Sequence, residues 1–132
     1  MEMDGAANSN VFRFIHGNEP RSFGRDAYVA RIKAVSSESE LFQELADQLA
    51  LPGYFGFNWN ALDECVRDFH WIPQRLIVMV HDRLAPELPE ADLQTYLEVL
   101  QDAVRDWKAG EDHELRVAFD LSDRDRIEAL GF

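Results

Sequence analysis

The sequence predicts an α/β fold in which helices pack against a three-stranded parallel sheet. Residues 76–80 form an unbroken apolar run, which is typical of a strand buried on both faces of a parallel sheet. Segments with helical spacing of apolar residues alternate with strand-like segments, the order expected of a layered α/β fold. The length of 132 residues suits a single domain over 1–132, with residues 1–10 as a flexible tail.

Two strand-like segments lie near the amino terminus. Residues 11–15 and 28–33 are rich in β-branched and aromatic side chains, which favour strands. The first is a candidate for an extra N-terminal strand beyond the three-stranded sheet. Residues 16–26 are rich in turn formers, so the two strands could pair as a hairpin.

Two helices are indicated by capping residues followed by apolar stripes. Ser37 and Glu40 have the spacing of a capping box, which predicts a helix over 38–50. Asn58 is a natural N-cap for a second helix over 58–69. The two apolar stripes are Leu41, Phe42, Leu45 and Leu49, and then Leu62, Cys65, Val66 and Phe69.

The second half of the chain adds one long helix and one strand. Apolar residues at helical spacing predict a helix over 90–108, stopped by Gly110. Residues 115–119 predict the last strand, and 123–130 a final short helix. The predicted three-stranded sheet therefore contains 28–33, 76–81 and 115–119.

Charge is the most informative bulk property of the chain. Twenty-five acidic residues against thirteen Lys and Arg give a net charge of −12, which opposes binding to nucleic acid or to an anionic membrane. No apolar run approaches the ~20 residues that a membrane-spanning helix needs. The single cysteine, Cys65, suits a reducing cytoplasm. The acidity itself is explained equally well by a basic protein partner and by simple solubility. We expect a cytoplasmic protein that is monomeric when free.

Patterns of catalytic and metal-binding residues are weak. The four histidines are scattered, and the sequence contains neither HExxH nor a glycine-rich phosphate loop. Cys65 lies on an apolar stripe beside Glu64, which would raise the pKa of a thiol, so we expect a core cysteine. We expect no catalytic residue, metal or cofactor. One enzyme hypothesis stays open, a small metal-using or hydrolytic enzyme built around His81 and Asp82 at the end of the buried strand.

Residues 49–65 differ from the rest of the chain in composition. Tyr54, Phe55, Phe57 and Trp59 crowd a glycine-containing loop that runs directly into the second predicted helix. We expect about two of these four aromatic side chains to lie in the core. The polar side of the helix is rich in acids, and aromatic residues beside carboxylates are typical of a binding hot spot. The polar residues of this helix are Asn60, Asp63, Glu64, Arg67 and Asp68.

This segment resembles the signature of barstar-like proteins. The pattern is L-x-L-P-x-Y-x-G-x-N-x-x-A-L-x-x-C, and the order of predicted strands and helices around it also fits that family. The resemblance covers residues 27–120 and implies a barstar-like fold. The pattern is carried by Leu49, Leu51, Pro52, Tyr54, Gly56, Asn58, Ala61, Leu62 and Cys65.

The resemblance also implies how such a protein would act. Barstar-like inhibitors insert this loop and helix into a ribonuclease active site, where a carboxylate takes the place of a substrate phosphate. Glu64 matches that carboxylate, and the long helix supplies a second contact region. Asn60 stands where the family often has an aspartate, and Glu64 is longer than the usual aspartate, so the partner's pocket should differ from that of barnase. The implied partner-binding residues are Tyr54, Gly56, Asn58, Trp59, Asn60, Asp63, Glu64, Asp102 and Asp106.

The function implied by the resemblance is that of a bacterial immunity protein, the antitoxin to a toxin. It would bind and inhibit a basic ribonuclease or another toxin domain. Besides the enzyme hypothesis, one alternative stays open, an acidic regulatory module that binds a basic protein other than a toxin.

Overall fold

The computed structural model of the chain describes residues 11–16, 26–108 and 110–132. Within them lie four strands, four α-helices and one short 3-10 helix. The predicted α/β fold is confirmed, including the extra N-terminal strand. The strands are β1 (Phe12–Ile15), β2 (Tyr28–Ile32), β3 (Leu76–His81) and β4 (Glu114–Asp120). The helices are α1 (Glu38–Gln48), α2 (Trp59–Val66), α3 (Glu90–Asp106), the 3-10 helix Leu121–Asp123, and α4 (Arg124–Ala129). The suggested tail, residues 1–10, lies outside the described residues.

The sheet is parallel throughout, in the order β1-β4-β3-β2. The predicted hairpin of the first two strands is therefore wrong, because β1 and β2 lie on opposite edges. Phe12 pairs with Val117 of β4, whereas Tyr28 pairs with Ile77 of β3. Aromatic packing holds β1 in place, with the Phe12 ring centroid 5.3 Å from that of Phe119. Local composition predicts a strand, but long-range packing of this kind selects its partner.

Strand β3 lies in the interior of the sheet, as the apolar run predicts. Ile77 and Met79 belong to the main core, together with apolar side chains of α1, α2 and α3. Val78 and Val80 point to the opposite face, because side chains alternate along a strand, and they are buried as well. The predicted burial of this run on both faces is confirmed.

The start of α1 agrees with the predicted cap, but one hydrogen bond of the capping box is shifted by one residue. The Ser37 hydroxyl accepts a hydrogen bond from the Glu40 backbone nitrogen at 3.2 Å. The Glu40 carboxylate accepts from the backbone of Ser36, one residue earlier than a capping box requires. Helix α2 ends at Val66 and not at 69, since Phe69 adopts a left-handed backbone conformation with φ of 54°.

His81 lies in the core, with a partner at each ring nitrogen. Its side chain is 2% exposed, Nδ1 lies 3.0 Å from the Ala118 carbonyl oxygen, and Nε2 lies 2.6 Å from the Tyr96 hydroxyl. A carbonyl can only accept, so Nδ1 donates to Ala118 and Nε2 accepts from Tyr96. Burial lowers the pKa of His81 to about 4, although the Ala118 carbonyl and Asp82 oppose the shift. This geometry makes His81 a structural residue, and Asp82 instead pairs with Arg31 at 2.8 Å.

The buried imidazole predicts a loss of stability in mild acid. Because the folded-state pKa lies below the ordinary 6.5, the unfolded chain takes up the proton first. The stabilisation is fully present above about pH 6.5 and is lost as the pH falls towards 4. At pH 5 this loss should reach about 2 kcal/mol. Denaturant unfolding of the wild type and of His81→Gln, at about pH 7.5 and about pH 5, measures it. Equal losses in the two proteins would contradict the assignment.

Candidate protein-binding site

The junction between the aromatic loop and α2 is organised by one side chain. Asn58 Oδ1 accepts from the Ala61 backbone nitrogen at 2.8 Å, which caps the helix. Its Nδ2 donates to the Gly56 carbonyl at 3.1 Å, which ties the loop to the helix start. A Cβ atom at Gly56 would lie 3.1 Å from this same nitrogen and would press on the cap. Asn58 and Gly56, both implied partner contacts, thus shape the loop from within.

Of the four aromatic side chains, one lies in the core, one is partly buried against it and two are exposed, where about two were expected in the core. Phe55 is buried, and its ring centroid lies 6.1 Å from that of Phe42. Trp59 packs at 4.7 Å against Phe42, and its indole nitrogen donates to Glu38 at 3.0 Å. Tyr54 and Phe57 are 68% and 48% exposed. Trp59, an implied partner contact, is therefore half-buried between α1 and α2.

Beside the loop lies a cleft of about 120 Å³, which we call the acidic cleft. Its two carboxylates belong to Glu64 and Asp68, and both side chains are exposed. Asn60 is exposed at the start of the same helix. The acidic cleft is lined by Tyr54, Phe55, Ala61, Glu64, Cys65 and Asp68.

Burial and the nearby carboxylates together raise the pKa of two groups that line the acidic cleft. The pKa of the Cys65 thiol is raised, first by burial and then by Asp68 and Glu64. The pKa of the Tyr54 phenol is also raised, first by loss of solvation and then by charges that include Asp68 and Glu64. Each group is held in its neutral form, as expected where further negative charge is disfavoured. The prediction of a buried core cysteine is confirmed.

Arg67 joins the two acidic regions that the resemblance implies. Its Nε lies 2.9 Å from an Asp63 oxygen on α2, and its Nη1 contacts the Asp106 carboxylate on α3. The end of α3 is thereby held against α2, which also packs along it. Asp63 and Asp106 already share an internal cation. Glu64 and the exposed Asp102 form no ion pair within the described residues.

Two residues of this surface are named in the sequence analysis but are absent from the implied set of partner-binding residues. Asp68 lies one helical turn beyond Glu64, and this i,i+4 spacing on the polar face was the available signal. Phe57 is exposed with a φ of 54°, which is uncommon for a residue with a side chain. Its ring lies 4.9 Å from that of Phe55, and such strained positions concentrate at functional sites.

Clusters of three or more His, Cys, Asp or Glu side chains suited to a metal ion do not occur in the described ranges. In the same ranges, none of the helices combines the length and the apolarity needed to cross a membrane.

Comparison with known proteins gives one clear match. No curated protein matches the chain. The family model described as "Barstar (barnase inhibitor)" matches residues 26–120, which include β2 to β4, α1 to α3 and the whole acidic cleft. Strand β1 and helix α4 lie outside the matched range. The match spans well over half of the chain, which therefore belongs to the barstar family.

Proposed function

We propose that this chain is an immunity-type inhibitor that occludes the active site of a basic ribonuclease or ribonuclease-like toxin. The observation that carries the proposal is the exposed carboxylate of Glu64 on the capped helix α2. It lies beside the exposed ring of Tyr54 in the preceding loop. Ribonucleases hold substrate phosphates with cationic side chains, and a rigidly presented carboxylate can occupy the same place. Asp68 adds a second negative charge in the same cleft.

The rigidity of the surface supports this role. The loop is tied to α2 through Asn58, and α2 is tied to α3 through Arg67. A surface that is already ordered loses less conformational entropy on binding, so more of the contact energy appears as affinity. The net charge of −12 would also accelerate encounter with a basic partner.

The remaining features of the proposal concern the protein as a whole. Ile127 of α4 belongs to the same apolar core as α1 to α3, which supports a single domain that extends beyond the matched range. We propose that the protein is monomeric when free, acts in the cytoplasm and has no catalytic activity of its own.

The hydrogen bonds at both ring nitrogens of His81 disfavour the enzyme hypothesis, because they leave that residue no free acceptor nitrogen for a metal or a proton. The regulatory-module hypothesis involves the same acidic surface. The identity of the neighbouring gene distinguishes it from the proposed function, because a toxin gene is expected beside an immunity gene.

Removal of the Glu64 carboxylate should weaken binding strongly. Glu64→Ala would leave the partner's cations unpaired inside the interface, which costs about 2–5 kcal/mol and mainly accelerates dissociation. Charge pairs of the barnase–barstar interface are among the measurements behind that range. Surface plasmon resonance against the product of the neighbouring gene, where the toxin of an immunity protein is expected, measures the effect.

The matched control is Glu87→Ala, in the loop between β3 and α3. It removes the same charge from an exposed glutamate that does not line the acidic cleft. We expect a small change, confined to a salt-dependent association rate. Equal and small effects of the two substitutions would place the binding surface elsewhere.

Removal of Arg67 should accelerate association with the partner. Arg67→Gln releases Asp63 and Asp106 from their shared cation, so both can face the partner. The loss of these partly exposed ion pairs should cost at most about 1 kcal/mol of folding stability. We expect several-fold faster association at low salt than for Arg83→Gln, which removes an equal charge from the β3–α3 loop. Association no faster than that of the Arg83 control would show that these two acids do not face the partner.

A further inference from the structure

A second cleft, of about 550 Å³, lies at the amino ends of β1, β3 and β4 beside the carboxyl end of α3. We call it the basic cleft, because five of its lining residues are cationic. These five are Arg13, Arg75, Arg105, Lys108 and Arg116. They are more than a third of the thirteen Lys and Arg in a chain of net charge −12, so the accumulation runs against the overall composition.

The positive charges of the basic cleft are only partly compensated. Within the described part of the chain, Glu114 is the one carboxylate that lines it, at 2.8 Å from Arg116 and 3.4 Å from Arg75. The pKa of Glu114 is lowered, first by its hydrogen bond to Arg116 and further by Arg75. Arg13, Arg105 and Lys108 form no ion pair with described residues. The cleft therefore keeps an excess of four positive charges.

A role in stabilising the fold explains only some of the five cations in the basic cleft. Arg105 and Lys108 lie at the carboxyl end of α3, where cations complement the helix dipole. Arg13 and Arg116 lie on strands and Arg75 directly before one, so the dipole does not account for them. Arg13 also lies outside the residues that match the barstar family, so strand β1 contributes a cation to the cleft from beyond the family match.

We propose that the basic cleft binds a compact ligand with clustered phosphate groups, such as a nucleoside polyphosphate. Guanidinium groups bind phosphate oxygens through paired, charge-assisted hydrogen bonds. The volume lies within the range of small-molecule sites, about 300–1,000 Å³. Trp107 and Val104 add an apolar wall beside the cations, which suits a base or sugar next to the phosphates.

The wall formed by Trp107 is fixed in position. Its indole nitrogen donates to the Val66 carbonyl at 2.9 Å, and its ring stacks on Phe69 with centroids 6.5 Å apart. A compact anion also fits the charge distribution better than a polymer does. Screening confines the cleft's positive potential to about 8 Å, whereas a nucleic acid would extend over the acidic remainder of the surface.

Isothermal titration calorimetry of the full chain tests this proposal without any toxin. ATP, inorganic triphosphate and a ten-nucleotide RNA are titrated separately at low and at moderate salt. We expect saturable one-to-one binding of ATP and triphosphate that weakens with salt, and little heat from the RNA. Tighter binding of ATP identifies a nucleotide as the ligand class, and equal binding identifies the phosphate chain alone. No binding of either compound, or tighter binding of the RNA, would overturn the proposal.

Matched variants localise the binding. Arg13→Gln and Arg105→Gln should each weaken binding about tenfold or more, as expected for the loss of a charged hydrogen bond. Arg83→Gln removes an equal charge from the β3–α3 loop and should change little. The side chains of Arg13 and Arg105 are exposed, so both variants should fold. Circular dichroism of each variant checks this. Unchanged affinity in both cleft variants would contradict the site. Inhibition of the toxin by Arg13→Gln should equal that of the wild type, which keeps this test separate from the proposed function.

Discussion

The amide of Asn58 is the interaction on which the proposed binding surface depends. One end of the group caps α2 and the other holds the Gly56 carbonyl, so loop and helix form one unit. The next residue, Trp59, packs on Phe42 of α1 and fixes that unit to the core. Tyr54 is exposed on a backbone that these contacts hold in place. The chain thus presents aromatic area at a low entropic cost.

The molecule has two clefts of opposite charge. Glu64 and Asp68 lie in the acidic cleft, whereas five cations line the basic cleft at the carboxyl end of α3. Arg67 bridges α2 to α3 through its ion pairs with Asp63 and Asp106. The acidic contact region proposed on α3 and the basic cleft meet at the carboxyl end of that helix, where Asp102 and Asp106 alternate with Arg105.

Local sequence predicts the strands and helices well, and it also marks the segment proposed as the site, because both depend on neighbours in the chain. The run over 76–80, the helical stripes and the Asn58 cap are all visible within a few residues, and so is the crowding of acids and aromatics over 54–64. The pairing of β1 with β4 and the sharing of Arg67 between two helices join residues that are far apart in sequence. The basic cleft likewise combines Arg13 and Arg116, which no local pattern connects. Such features depend on long-range packing, and the structure is needed to find them.

The most direct measurement of the central claim is amide hydrogen exchange of the chain, alone and bound to the proposed ribonuclease partner, followed by mass spectrometry of peptides. The account predicts that slower exchange on binding is confined to peptides covering the aromatic loop and α2, residues 53–68, and the end of α3 around Asp102 and Asp106. Peptides from β1 and α4 should exchange at the same rate in both states. Protection of those peptides, with residues 53–68 unchanged, would contradict the claim that this loop and helix enter the partner's active site.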